Sequence, residues 1–321
     1  MAVYTDVSDE DVSQFVADYD IGDVLSCKGI AEGVENSNFM LTTDQGAFIL
    51  TLYEKRVDPK DLPFFIGLME HLAKNGIPSP TPVHARDGEA LRTLCDKPAA
   101  IVTFLPGLWP KRATSEHCRE LGEGLARMHV AGSTFEMSRP NGLSVDAWRP
   151  LLESSGKDAT NGVSAGLYDM LSDELTYLEE HWPAGLPSGA IHADLFPDNV
   201  FFRDGHLSGL IDFYFACTDA FAYDLGICLN AWCFEQDGSF NITKARRMLA
   251  TYRVERGFSQ EELDALPILA RGAAIRFLLT RLYDWLNTPE GALVVPKDPM
   301  EYVHKLRFHQ GVKSVGDYGL D

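Results

Sequence analysis

One run of the chain constrains it more than any other: His192-Ala-Asp194-Leu-Phe-Pro-Asp-Asn199. Its three polar anchors fit the spacing H-x-D-x-x-x-x-N of a phosphoryl-transfer loop. The chemistry explains the spacing. One carboxylate has to accept the proton of an attacking hydroxyl, and an amide oxygen further along the loop has to ligate a divalent cation. A histidine two residues before the carboxylate can hold the loop in shape. The pattern alone is a modest signal, and its context strengthens it. Val200 to Arg203 and Leu207 to Phe213 read as a hairpin around Asp204-Gly205. The second strand ends in Ile211-Asp212-Phe213, which returns a second carboxylate to the loop as a metal ligand. Asp194 and His192 are therefore the expected catalytic residues, and Asn199 and Asp212 the expected metal ligands.

The remainder of the chain divides at Leu105 to Gly107. Before it, Asp9 to Tyr19 reads as a helix. Asn38 to Thr42 and Ala47 to Tyr53 read as strands flanking the Asp44-Gln45-Gly46 turn. Leu62 to Asn75 is helical by period, with Gly76 as its stop, and Ala99 to Phe104 is an apolar strand. After Pro106 the pattern is mostly helical. Cys118, Leu121, Leu125 and Met128 make one stripe ending near Gly132. Leu167 to Leu178 makes another, with Ser164 as N-cap, and a further helix covers Pro267 to Asn287. Arg139 to Gly162 reads as loop with room for one short helix. The expected fold is α+β with two lobes: a small β-rich lobe with one long helix (1–105), then a larger, mostly helical lobe (106–321). Ile101 to Leu105 would be the hinge between them, and a cleft there is a usual place for a small molecule.

Charge and cysteine usage narrow the partners. With 28 basic and 47 acidic residues, the net charge of −19 disfavours nucleic acid and anionic membranes. The six cysteines form no C-x-x-C pair and read as reduced thiols. The acidic first residues lack the apolar core of a signal peptide. Ile268 to Trp285 carries Arg271, Arg276, Arg281 and Asp284, too many charges to span a bilayer easily. A cytoplasmic location is expected, and nothing in the sequence fixes an oligomeric state.

The run from His192 to Asn199, with Ile211-Asp212-Phe213 and Tyr223-Asp224-Leu225, resembles the aminoglycoside phosphotransferase and choline kinase superfamily, whose members share the protein-kinase fold. That resemblance implies a loop-supporting role for Asp224. Four further segments are similar to the bacterial homoserine kinases of that superfamily: Gly33 to Phe39, Phe48 to Glu54, Asp224 to Cys233 and Arg271 to Asp284. They imply ATP- and Mg2+-dependent phosphorylation of the L-homoserine hydroxyl, on the route to threonine. In such folds the hinge backbone, here Thr103, Phe104 and Leu105, meets adenine. Gly33, Asn36 and Ser37 are candidates to present N–H groups to phosphate.

Homoserine is a zwitterion, so its carboxylate calls for an arginine. Arg276 and Arg281 are the candidates, Asp284 lies where it could pair with Arg281, and Trp232 could line the pocket. Two kinase features are missing. The strand-lysine position falls at or near Thr51, and the helix-glutamate position is Phe65. Their joint absence is coherent, because either charge alone would lack its partner. Lys55 is close in sequence but at an odd offset along the strand. Two other readings stay open at this point: a kinase acting on an aminoglycoside or another amino-alcohol, and a non-catalytic nucleotide-binding regulator.

Overall fold

The computed structural model describes residues 5–30, 36–54, 57–288 and 296–320. Its first part is a five-stranded antiparallel sheet: β1 (Val24–Gly29), β2 (Ser37–Thr43), β3 (Gly46–Leu52), β4 (Leu91–Leu94) and β5 (Lys97–Thr103), in the spatial order β1-β2-β3-β5-β4. Along β2 every second residue is buried, as expected for a strand with one face on a core. Pairing of Thr43 with Gly46 fixes the β2–β3 register through the anticipated turn at Asp44-Gln45. Strands β1 and β4 escaped the sequence reading, being short and only partly apolar.

Two helices flank the sheet, α1 (Asp9–Val16) and α2 (Leu62–Lys74). Helix α2 buries Leu62, Phe65, Ile66, Met69 and Leu72 together with Phe64 and Leu68, because it is wedged between the sheet and the helical lobe. It stops where Gly76 takes a left-handed φ of 77°.

The second part contains α3 (Ser115–Gly132), α4 (Val145–Ser155), α5 (Lys157–Val163), α6 (Leu167–His181), α7 (Phe221–Trp232), α8 (Ile242–Glu255), α9 (Gln260–Asn287) and α10 (Met300–Gly311). The expected α+β architecture, with a small sheet lobe and a larger helical lobe, is the one observed. Two short ladders are set among the helices: β6 (Ser188–Ile191) pairs with β9 (Cys217–Ala220), and β7 (Val200–Arg203) pairs with β8 (His206–Leu210). The loop carrying Asp194 lies between β6 and β7, and Asp212 lies between β8 and β9.

Three details depart from the sequence reading. The stretch taken as loop holds two helices, α4 and α5, held by burial of Trp148, Leu152 and Thr160. Ser164 does not cap α6; it ends α5 in extended conformation, and left-handed Gly166 precedes α6. Helix α9 begins at Gln260, well before Pro267. Ser259 and Glu262 form a reciprocal capping box there, and the proline is absorbed inside the helix.

A histidine network ties α7 to the C-terminal end of the chain. Fully enclosed His309 meets Tyr318 Oη at 2.7 Å and Asn230 Oδ1 at 3.2 Å. The amide oxygen can only accept, so Nε2 donates; with the ring kept neutral by burial, Nδ1 accepts from the tyrosine. Burial, with Lys305 nearby, pushes its pKa down to about 3. Below about pH 6.5 the unfolded chain binds this proton and the folded one does not. Stability therefore declines as pH falls from about 6.5 toward 3, by roughly 4 kcal/mol for this residue alone at the lower limit. Urea unfolding across that range should show the decline, and His309→Gln should flatten it.

Candidate active site

A cleft of about 1070 Å³ runs between the sheet and the helical lobe. Asn36, Asn38, Thr51, Thr103, Phe104, Leu105, Asp194, Asn199, Asp212 and Trp232 all line it. The loop at its floor is fixed from three sides. Asp224, buried in α7, accepts the backbone N–H groups of His192 at 2.8 Å and Ala193 at 2.9 Å, and meets His129 Nε2 at 3.1 Å. His192 meets the Ile211 carbonyl through Nε2 at 2.9 Å and lies against the Phe213 ring. It thereby ties the loop to the Asp212 segment. Arg276, from α9, donates to the Ala193 carbonyl. Ala193 has a left-handed φ of 61°, a conformation that a residue with a Cβ adopts only when its surroundings enforce it. Asp224 and Arg276 supply that enforcement from opposite ends of the Ala193 residue.

The electrostatics follow from this enclosure. Burial pushes Asp194 up to about 8; Arg276 and Lys297 oppose the shift, and Asp212 and Asp198 add to it. Burial lowers the His192 pKa, so the ring is neutral and serves as a hydrogen-bonded brace. Burial would also raise Asp224, yet His129, His192 and the loop N–H groups hold it below the ordinary carboxylate range. Asn199 donates its amide N–H to the Asp194 carbonyl at 2.8 Å and to Asp194 Oδ2 at 3.3 Å. Its amide oxygen is left for a hard cation. Asp212, in the left-handed region with φ 65°, lines the same cleft. Two oxygen donors without histidine or thiolate suit a magnesium ion that also keeps waters and phosphate oxygens. Among the described residues no group of three or more His, Cys, Asp or Glu could hold a metal without such help.

Several of the residues singled out in the sequence have internal partners, while Trp232, Arg276 and Arg281 also line the cleft. Arg276 is 2% exposed and grips the catalytic loop, so its first role is internal. Trp232 is 1% exposed and donates Nε1–H to the Leu195 carbonyl at 2.8 Å. Its ring meets Phe202, which bridges to Leu108 just past the hinge, and this places it beneath the hinge end of the cleft. Ser37 is fully buried and gives its hydroxyl to Glu54 Oε1 at 2.7 Å, bracing the start of β2. Arg281 pairs with Glu301 at 2.7 Å and not with Asp284. Gly33 and Lys55 lie outside the described residues. Thr51 occupies the strand-lysine position as a buried hydroxyl donated to Asn38 Oδ1 at 2.8 Å.

At the far end of the cleft, the sequence points to Arg281 as a substrate candidate but not to Phe196, Phe277, Thr280 or Lys297. Phe277, Thr280, Arg281 and Asp284 from α9 line it there together with Phe196 and Lys297. No ion pair to Asp284 is formed among the described residues. Lys297 follows a segment with no periodic signal, and nothing local in the sequence points to it.

A family model described as the phosphotransferase enzyme family matches residues 26–258. The chain is 63% identical to the homoserine kinase of Paramagnetospirillum magneticum, with 100% of both chains covered. It is 64% identical to that of Rhodospirillum rubrum, covering 100% of this chain and 99% of the relative. Among solved structures, an amicoumacin kinase in complex with AMP-PNP, Ca2+ and Ami superposes with a TM-score of 0.69 at 16% identity, over 98% of this chain and 96% of that one. A spectinomycin phosphotransferase in complex with ADP and its antibiotic gives 0.67 at 12% identity, over 98% of each chain. At those identities the structures establish a common fold.

Proposed function

The chain belongs to the phosphotransferase enzyme family, and from that premise we propose how its own residues carry out the reaction. That reaction is ATP-dependent phosphorylation of the L-homoserine hydroxyl, giving O-phospho-L-homoserine. The observation that carries the residue assignment is the floor of the cleft, where Asp194 is clamped beside Asn199 and Asp212 lines the same cavity.

In the ionised form, Asp194 orients the homoserine hydroxyl and accepts its proton as the oxygen attacks the γ-phosphorus. The new O–P bond forms as the bond to the β-phosphate oxygen breaks, and ADP leaves with that electron pair. Asn199 and Asp212 would hold Mg2+. When bound, Mg2+ supplies neutralisation of the phosphate charge. The hinge backbone at Phe104 and Leu105 takes adenine, and the lobes divide at Leu105/Pro106. Asn36 stands at the phosphate end.

The acceptor sits at the α9 end of the cleft. Asp284 receives the homoserine ammonium, while Arg281 and Lys297 receive its carboxylate, with Phe196 and Phe277 packing its methylenes. Arg276 lines the same cleft and also holds the catalytic loop.

The test is ADP release with Mg·ATP and L-homoserine, compared with L-serine, L-threonine, choline and an aminoglycoside. Turnover should be confined mainly to homoserine. In Asp212→Ala, the Mg2+ concentration needed for half-maximal rate should rise at least tenfold, with rates falling about 10²-fold or more even at saturation. Unchanged Mg2+ dependence in that variant would remove Asp212 from the metal site.

A further inference from the structure

We infer that Arg139 and Asp61 form an interlobe latch that positions the nucleotide-binding machinery in place of the missing strand-lysine and helix-glutamate pair. The inference rests on the kinase reading above and assigns a new pair of positioning residues to it.

Asp61 immediately precedes α2, the helix on which Phe65 occupies the glutamate position. Its carboxylate makes no capping bond to that helix. Instead it accepts from Arg139 Nε at 2.6 Å. Arg139 comes from the connection between α3 and α4, in the other lobe. Its guanidinium also donates through Nη1 to the Ala216 carbonyl at 3.1 Å, and lies 5.1 Å from the centre of the Phe65 ring. One planar cation thus touches the start of α2, the face of α2 and the segment just after Asp212.

The arginine is itself anchored. Its backbone N–H donates to Thr218 Oγ1 at 3.1 Å, and its carbonyl accepts from Thr218 N–H at 2.6 Å. The contact continues toward the metal aspartate. Phe65 meets Tyr214 edge-on at 5.8 Å, and Tyr214 meets Tyr53 beyond β3 at 5.3 Å. Tyr214 is two residues from Asp212. A kinase needs its helix, its strand and its metal aspartate held in one arrangement. Here an aromatic run and one ion pair connect all three, and the cleft position that would carry the lysine holds Thr51. The latch also walls a cavity of about 250 Å³ that includes Asp58, Asn141 and Phe215 and adjoins the main cleft at Tyr214 and Phe215. The side chains of Arg139 and Asp61 are 25% and 32% exposed, so the pair is sheltered without being sealed.

A double-mutant cycle of the full-length enzyme tests the latch: Asp61→Asn, Arg139→Gln and the two combined, with Asp61→Glu as the conservative variant. Each single substitution should lower kcat/KM for Mg·ATP about tenfold, with KM for homoserine within about twofold of wild type. The double variant should be no worse than the weaker single, and Asp61→Glu should keep most of the activity. Losses that multiply to roughly 100-fold in the double variant would overturn the latch. So would losses seen only in melting temperature, or only in KM for homoserine. Mg·ATP affinity by calorimetry on the same proteins tests the latch independently of the acceptor. Wild-type protein that binds Mg·ATP but does not turn over homoserine would instead overturn the reading on which it rests.

Discussion

Asp194→Asn is expected to lower kcat about 10³-fold while leaving Mg·ATP affinity and folding close to wild type. The magnitude is that of losing a positioned general base. The asparagine keeps the size of the side chain, and the Asn199 contact to the 194 carbonyl survives the change. The remaining rate reports orientation alone. The pH dependence gives a second handle. Burial raises the Asp194 pKa to about 8, so at pH 7 most of the free enzyme carries the inactive, protonated acid. The sign follows directly: kcat/KM for Mg·ATP, which reports the free enzyme, should rise as pH increases through that region. That acid limb should vanish in Asp194→Asn. A wild-type profile that is flat from pH 6 to 9, or a variant that keeps the limb, would place the base elsewhere.

The second large effect falls on a residue that touches no substrate. Asp224→Asn should destabilise the protein by about 3–5 kcal/mol and abolish most turnover, the usual result of breaking a buried charged network from one side. Asp224 is acceptor-only, and the groups around it are the His192 and Ala193 N–H donors and His129 Nε2. An amide brings two N–H donors into this ring, so at least one contact becomes donor against donor. The Ala193 left-handed turn loses its brace, and Asp194 loses its aim. Denaturant unfolding and kcat should fall together here, whereas Asp194→Asn separates them. An Asp224→Asn enzyme with wild-type stability would mean that the loop is held by other contacts.

How much of this was legible beforehand depended on how far apart the interacting residues lie in the chain. His192, Asp194, Asn199 and Asp212 could be read directly, because one loop and one hairpin carry them and their chemistry dictates their spacing. The strands β2, β3 and β5 and the helices α2 and α3 announced themselves through apolar periodicity. The roles of Arg276 and Arg139 could not be read. Each was an arginine whose target, Ala193 for one and Asp61 for the other, lies many tens of residues away. Arg276 is a substrate candidate in the sequence because the homoserine carboxylate calls for an arginine, and periodicity does not reveal that its guanidinium reaches the Ala193 carbonyl. Arg281 was matched to Asp284 through helical spacing, and the fold supplied a better partner in Glu301 from α10. Ser164 and Pro267 were overruled for a local reason. The capping box at Ser259 and the left-handed Gly166 set the helix starts more strongly than either residue.

Helix α9 gives the enzyme a division of labour along a single rod. Its middle holds the catalytic loop through Arg276, and its last turns bring Thr280, Arg281 and Asp284 to the cleft, where we propose the acceptor binds. From Arg276 to Asp284 the helix advances about 12 Å. The chemistry and the choice of acceptor are therefore rigidly coupled in distance yet separable in sequence. Variation in the last turns can explore new alcohols while the transfer apparatus stays assembled. For an engineer, a small library at Thr280, Arg281, Asp284 and Lys297 is the economical place to evolve a different substrate preference on this scaffold.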